Sequence, residues 1–148
     1  MNKHNLSSFH FKMDIAMRWS DMDELGHINN AVFFTYLEEG RTHYLTKAIE
    51  WNWRKEGLIL ARAEMDFKKP LSYQDKAILY MRCTRLGNTS FDLEAIITNE
   101  NDPENPVLIA LAKTVQVCYD YKNAEVMMIP DHLRKRFALL EEWDNPVI

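Results

Sequence analysis

Long apolar runs are missing from this chain. Nothing in its 148 residues approaches the roughly 20 apolar positions of a membrane-spanning helix, and the amino end carries no apolar signal core. No membrane partner is expected, and the cytoplasm is the expected location. Basic runs are missing as well. A formal net charge of −4 offers no broad surface for nucleic acid, although local basic clusters could hold a ligand's phosphates. Cysteine is scarce: Cys83 and Cys118 each sit inside an apolar, strand-like run. They form neither a disulfide framework nor a Cys-x-x-Cys metal pair, so both are expected as small core residues. There is no Gly-x-Ser-x-Gly, no nucleotide-binding glycine loop, no catalytic Cys–His signature, no His-Glu-x-x-His and no calcium loop. A serine-triad hydrolase is unsupported, and neither a metal nor another cofactor is expected. Internal repeats and low-complexity segments are also absent. What remains has the composition of an ordinary globule, 47% apolar and 27% charged, and reads as a single domain over 1–148.

The patterning that is present changes period along the chain. Phe9, Phe11, Met13, Ile15 and Met17 alternate with polar residues, which predicts a half-buried strand. From Asn30 to about Ile49, Phe33, Leu37, Gly40, Tyr44 and Ala48 fall at spacings of three and four. That is a helical stripe about 30 Å long at 1.5 Å per residue. Val32, Phe34, Tyr36 and Leu45 lie off the stripe, so the helix is expected to be deeply covered. Gly40 inside it costs about 1 kcal/mol relative to alanine, which predicts a neighbour packed close against its backbone. Strand patterns follow at 59–67, 77–86, 91–97 and 107–121, with a tight turn at Gly87-Asn88. Pro130-Asp131 opens a short helix with Leu133, Phe137 and Leu140 inward. The connections are too short for parallel crossovers. The expectation is an α+β fold, about five antiparallel strands curled around one long helix. Leu60, Ile78 and Tyr80 are expected on the strand faces away from the helix, as surface for self-association.

The most informative stretch is Asp21-Met-Asp-Glu-Leu-Gly-His-Ile-Asn-Asn30, directly before the long helix. A helix start carries unpaired N–H groups and a partial positive charge, so an acid beside it can act on a carbonyl that the end polarises. Asp23 is the candidate general base or nucleophile; alone, it would read as a turn-forming loop aspartate. Asp21 is expected to order the loop through Arg18 or Arg41. His27 is open to two readings, a partner of Asp23 or of a substrate carbonyl, and a plain loop histidine. Gly26 is expected at a positive φ or a close approach to ligand. Asn29 and Asn30 are both candidate caps, and whichever is not the cap is free to face the site. The N–H groups from Ile28 to Ala31 are the candidate carbonyl donors. One of Glu38 and Glu39 is expected to face inward. Trp51 and Trp53 are expected as packing anchors.

These residues carry a resemblance. Arg18-Trp-Ser-Asp-Met-Asp-Glu-Leu-Gly-His-Ile-Asn-Asn30, followed by Tyr36-Leu-Glu-Glu-Gly-Arg41, resembles the hotdog-fold thioesterases of the 4-hydroxybenzoyl-CoA and acyl-CoA thioesterase type. Ala61 to Leu71 and Leu86 to Phe91 resemble later segments of that family in the expected order. The resemblance implies a hotdog fold and hydrolysis of an acyl-CoA thioester, the alternatives being hydrolysis of an acyl-carrier-protein thioester and a hotdog module that binds an acyl thioester without turnover. It also implies a homodimer or homotetramer whose sheets join, with active sites at the interface. It makes Asp23 the catalytic carboxylate, with His27 and Asn30 as helpers. The substrate-binding set that goes with it is Gly26, Ile28, Asn29, Ala31, Glu38 and Glu39 around the helix and Asn88, Thr89 and Ser90 at the later turn, with Lys68, Lys69, Arg82 and Arg85 the nearest basic residues by sequence for the CoA phosphates. The turn Gly87 to Ser90 is neutral where some relatives are basic.

Overall fold

The computed structural model describes residues 5–144. In chain order it contains β1 (Phe11–Asp14), α1 (Asn30–His43), β2 (Gly57–Phe67), β3 (Ala77–Leu86), β4 (Ser90–Asn99), β5 (Val107–Asp120), β6 (Glu125–Val126) and α2 (Asp131–Leu140). The strands form one antiparallel sheet in the order β1-β3-β4-β5-β2, with β6 added to β5. The sheet curls around α1, and α2 closes one end. This is the hotdog arrangement.

α1 forms where the stripe predicts it. Asn29 is the cap, its side-chain Oδ1 accepting the Ala31 N–H at 2.9 Å. The helix runs on through a wider π turn at Tyr44–Ala48, so the helical stretch ends close to the expected Ile49. Phe33, Tyr36, Leu37, Gly40, Tyr44 and Leu45 are buried beneath it. Gly40 is the point of closest approach: a Cβ there would lie 2.7 Å from a Leu79 methyl group on β3. The glycine's helix penalty is therefore offset by contact with the sheet. Cys83 and Cys118 are free thiols in the core. Trp51 is buried, its ring against Phe91; Trp53 is half exposed and donates to the Thr46 hydroxyl.

Three expectations need correction. The first strand is shorter than its alternation suggests. Leu6–Ser8 form a turn, and Phe9 then packs on the outer sheet face with Ile78, Tyr80 and Ile96, under the Arg82 guanidinium 4.5 Å from its ring. Phe11 lies on the inner face against Tyr44. Ile78 and Tyr80 are consequently covered by the chain's own N-terminal segment and are not free for association. Leu60 is on the other face from the one expected. It pairs with Gln116, and Arg62 pairs with the next β5 residue, Val115, leaving Ala61 as an unpaired extra residue. This bulge reverses the alternation, so Leu60 and Ala63 both border α1.

β2 is the outer strand on its side of the sheet. Its second edge is unpaired among the described residues, and most of its side chains are exposed. Leu60, Phe67 and the neighbouring Phe34 of α1 are each 40% exposed or more.

Candidate active site

The Asp21 to Asn30 segment folds as a tight loop pinned to the sheet. Met22 and Ile28 form an antiparallel bridge, and the Ile28 N–H donates to the Leu71 carbonyl at 2.7 Å. Gly26 takes φ = +77°, as its position in the turn requires. Asp21 is the buried anchor of this loop. Its carboxylate accepts from the Tyr36 hydroxyl at 2.6 Å, and from the Arg18 backbone N–H and guanidinium at 3.0 to 3.2 Å. Burial alone would push the Asp21 carboxyl up. The Tyr36 and Arg18 hydrogen bonds, with the Arg18 charge, outweigh it and hold the group below the usual carboxylate range. Arg18, not Arg41, is the partner. Tyr36 carries the other half of this link, and nothing in the sequence separates it from the apolar residues around it.

Asp23 divides its two oxygens between the bland and the chemical roles. Oδ1 accepts the Leu25 N–H at 2.9 Å and the His27 N–H at 3.4 Å, which is a turn-forming aspartate. Oδ2 has no hydrogen-bond partner among the described residues. Asp23 lines an open cleft of about 290 Å³ at the start of α1, together with His27, Ile28, Asn30, Phe33, Phe67, Lys68, Lys69 and Pro70. His27 lines this cleft too; its own contribution to the link with Asp23 is its backbone, the N–H donating to Asp23 Oδ1 and the carbonyl accepting the Asp23 N–H.

The carbonyl donors narrow to one. The Ile28 N–H is taken by Leu71, Asn29 by the Asp21 carbonyl, Ala31 by the Asn29 side chain and Val32 by the Asn29 carbonyl. Among the described residues, Asn30 alone in this stretch keeps a free backbone N–H. Ile28, Asn29 and Ala31 therefore act on the loop and the cap and leave no N–H for a ligand. The free donor sits at the positive end of a 14-residue helix, where a developing oxyanion is favoured.

Lys68 and Lys69 follow β2 directly, and both of their N–H groups point at the Ile109 carbonyl. Neither lysine makes an ion pair among the described residues. Phe33 and Phe67 form the cleft's apolar wall, with ring centroids 5.4 Å apart. Their positions, one on the helical stripe and one at a strand end, are the signal that would have found them.

Other expected residues lie elsewhere. Glu38 and Glu39 are both exposed, and neither faces inward. Glu38 is eight residues along α1, about 12 Å from Asn30, and borders a second cleft. Glu39 lies 3.9 Å from His43. The turn bearing Asn88, Thr89 and Ser90 is at the far end of the sheet. Ser90 pairs with Val117 and Phe67 with Ala110, a separation of seven β5 residues or about 23 Å. Arg85 at that end is held by Ser90 and Asp92. Arg134, buried in α2, donates to the Gly87 and Asn88 carbonyls, so this turn is built into the fold. Among the described residues no three His, Cys, Asp or Glu side chains converge as a metal site. No helix among them is long and apolar enough to cross a membrane.

Residues 17–137 match the family model described as the Thioesterase-like superfamily. The chain belongs to this family. Three relatives give the scale of the likeness. The long-chain acyl-CoA thioesterase FadM of Escherichia coli is 26% identical over 125 residues, covering 82% of this chain and 92% of its own. The chloroplast acyl-acyl carrier protein thioesterase ATL3 of Arabidopsis thaliana is 28% identical over 147 residues, covering 96% of this chain and 74% of its own. A thioesterase of Thermus thermophilus, solved with coenzyme A and zinc, is 28% identical and superposes with a TM-score of 0.80, covering 93% of this chain and 98% of that one. The hotdog fold read from the strand order is thus that of known thioesterases.

Proposed function

We propose that this protein is an acyl-CoA thioesterase that hydrolyses its substrate in the cleft at the start of α1. One observation carries the reading: the free Oδ2 of Asp23 and the free Asn30 N–H share a single cleft with two unpaired lysines. The thioester carbonyl oxygen takes the Asn30 N–H, and the α1 dipole stabilises the negative charge that grows there on attack. Asp23 then acts in one of two ways. As a base it removes a proton from water, whose oxygen forms the new bond to carbon while the carbon–sulfur bond breaks and CoA leaves as thiolate. As a nucleophile its oxygen bonds to the carbonyl carbon while the carbon–sulfur bond breaks and CoA leaves as thiolate, giving an anhydride that water opens in a second step to the free acid and the restored carboxylate. His27, which lines the same cleft, assists by hydrogen-bonding the reacting groups. Purified protein mixed with a panel of acyl-CoAs should release free thiol; binding without release from any of them would leave a binding module and refute the enzyme.

Lys68 and Lys69 are positioned for the phosphates of CoA. Replacing both with alanine should raise KM about tenfold with kcat little changed, and added salt should raise the wild-type KM in the same direction. An unchanged KM would move the phosphate contacts elsewhere. The likeness to ATL3 over nearly the whole chain supports a second substrate, an acyl-carrier-protein thioester, since the same lysines suit an acidic carrier. Parallel kcat/KM values for one acyl group on each carrier separate the two.

The working unit is a homodimer joined through β2 in the cytoplasm. The strand presents an 11-residue free edge beside exposed Phe34, Leu60 and Phe67, and pairing with a second copy satisfies the backbone and covers those side chains. Sedimentation at micromolar concentration should give at least a dimer; a monomer would contradict this assembly.

A further inference from the structure

Beneath α1, the inner face of β5 carries Ala112, Thr114, Gln116 and Cys118 in alternation, and all four are buried. Two are polar in the middle of an apolar layer. Gln116 is fully inaccessible. Its Nε2 meets the Thr114 hydroxyl, and its Oε1 has no hydrogen-bond partner among the described residues. A buried amide with an unanswered oxygen is costly, and an apolar side chain of similar volume would avoid that cost.

The pair lies beside a cleft. The cross-strand neighbours of Gln116 and Thr114 on β2 are Leu60 and Ala63. Those two residues form the sheet wall of a second cleft of about 290 Å³, whose helix wall includes Phe34, Leu37 and Arg41. Phe67, which lines the catalytic cleft, packs edge-on against Phe33 of that cleft and against Phe34, which lines the second. An acyl chain whose carbonyl lies at Asn30 and which follows α1 past Phe67 reaches Leu37 to Arg41 after seven to eleven helical residues, about 10–16 Å. There the layer behind the apolar wall is polar.

We infer that Gln116, supported by Thr114, is a specificity residue that reads a hydroxyl group carried well along the acyl chain of the substrate. This rests on the thioesterase reading above for the position of the carbonyl. A hydroxyl both donates and accepts, so it satisfies the amide in either orientation of its oxygen and nitrogen. Leu60, the cross-strand neighbour of Gln116 that lines this cleft, has to shift its side chain for a hydroxyl to reach the amide. Sites built to hydrogen-bond a substrate hydroxyl discriminate strongly against analogues that lack it, because the protein group is then left unpaired.

The test compares acyl-CoAs of equal length with and without a hydroxyl in the distal half of the chain, on wild type and Gln116→Leu. Wild type should favour the hydroxylated substrate in kcat/KM by about 10- to 100-fold. Gln116→Leu should erase or invert that ratio while keeping turnover of the plain substrate and melting no lower than wild type. Dissociation constants of the same pair on Asp23→Asn, by calorimetry, should show the wild-type preference without any need for catalysis. A failed thioesterase reading with an intact binding preference would thus be recognised as such. Equal preference in both proteins would mean that a trapped water satisfies Gln116, and would overturn the inference. So would a large loss of stability in Gln116→Leu with the substrate ratio unmoved.

Discussion

Asp23→Asn is expected to lower kcat about a thousandfold and to leave KM within about a factor of three, within the range set by loss of a general base. Asparagine is the informative choice because the aspartate has two jobs. Its Oδ1 holds the Leu25 and His27 N–H groups, and an amide oxygen can do the same. The variant should therefore melt as wild type does. What asparagine cannot do is take a proton from water or attack a thioester. Steady-state thiol release on matched preparations makes the comparison. Unchanged kcat would move the base to another group, with His27 the nearest candidate in the same cleft.

Asp21→Ala is expected to act on the fold. The carboxylate is buried, and its loss leaves the Tyr36 hydroxyl and the Arg18 backbone N–H without their acceptor. The Arg18 guanidinium is largely exposed and finds water, so little of the effect comes from the ion pair itself. A cost of about 3 kcal/mol follows from the buried donors, or about 10 °C in Tm for a chain of this size. The same link sets a pH dependence. The folded Asp21 binds its proton less readily than the unfolded one, so its contribution is full above the usual carboxylate range and is lost as pH falls through the lower folded value. Wild type should therefore lose stability at acid pH more steeply than Asp21→Ala. Chemical denaturation at pH 7 and at about pH 3 would show it; parallel losses in the two proteins would refute the linkage.

Asp21 and Asp23 show how far a sequence of this kind can be read. Their spacing, the cap at Asn29 and the helical stripe are local patterns, and local patterns translate directly into the turn and α1. Gly40 was legible for the same reason: a glycine in a covered helix implies a close neighbour, and Leu79 is that neighbour. The features that escaped depend on a single residue of register. One extra residue, Ala61, turns Leu60 toward α1, and the early turn at Leu6–Ser8 sends Phe9 to the outer face. Nothing in composition marks either. The proposed site was partly legible. The acids, His27 and the lysines fall close together, with Asp23, His27, Lys68 and Lys69 on one cleft, but spacing could not say that, of the N–H groups from Ile28 to Val32, Asn30 alone has no partner among the described residues. Nor could it place the Gly87 to Ser90 turn about 23 Å from Phe67, since that distance is set by strand pairing.

The central claim is geometric: one thioester carbonyl lies between the Asn30 N–H and the side chain at position 23. A crystal structure of Asp23→Asn holding an intact acyl-CoA tests it most directly. The account predicts the carbonyl oxygen about 3 Å from the Asn30 nitrogen, the carbonyl carbon facing residue 23, and the CoA phosphates beside Lys68 and Lys69. A thioester bound with its carbonyl away from the start of α1 would contradict it.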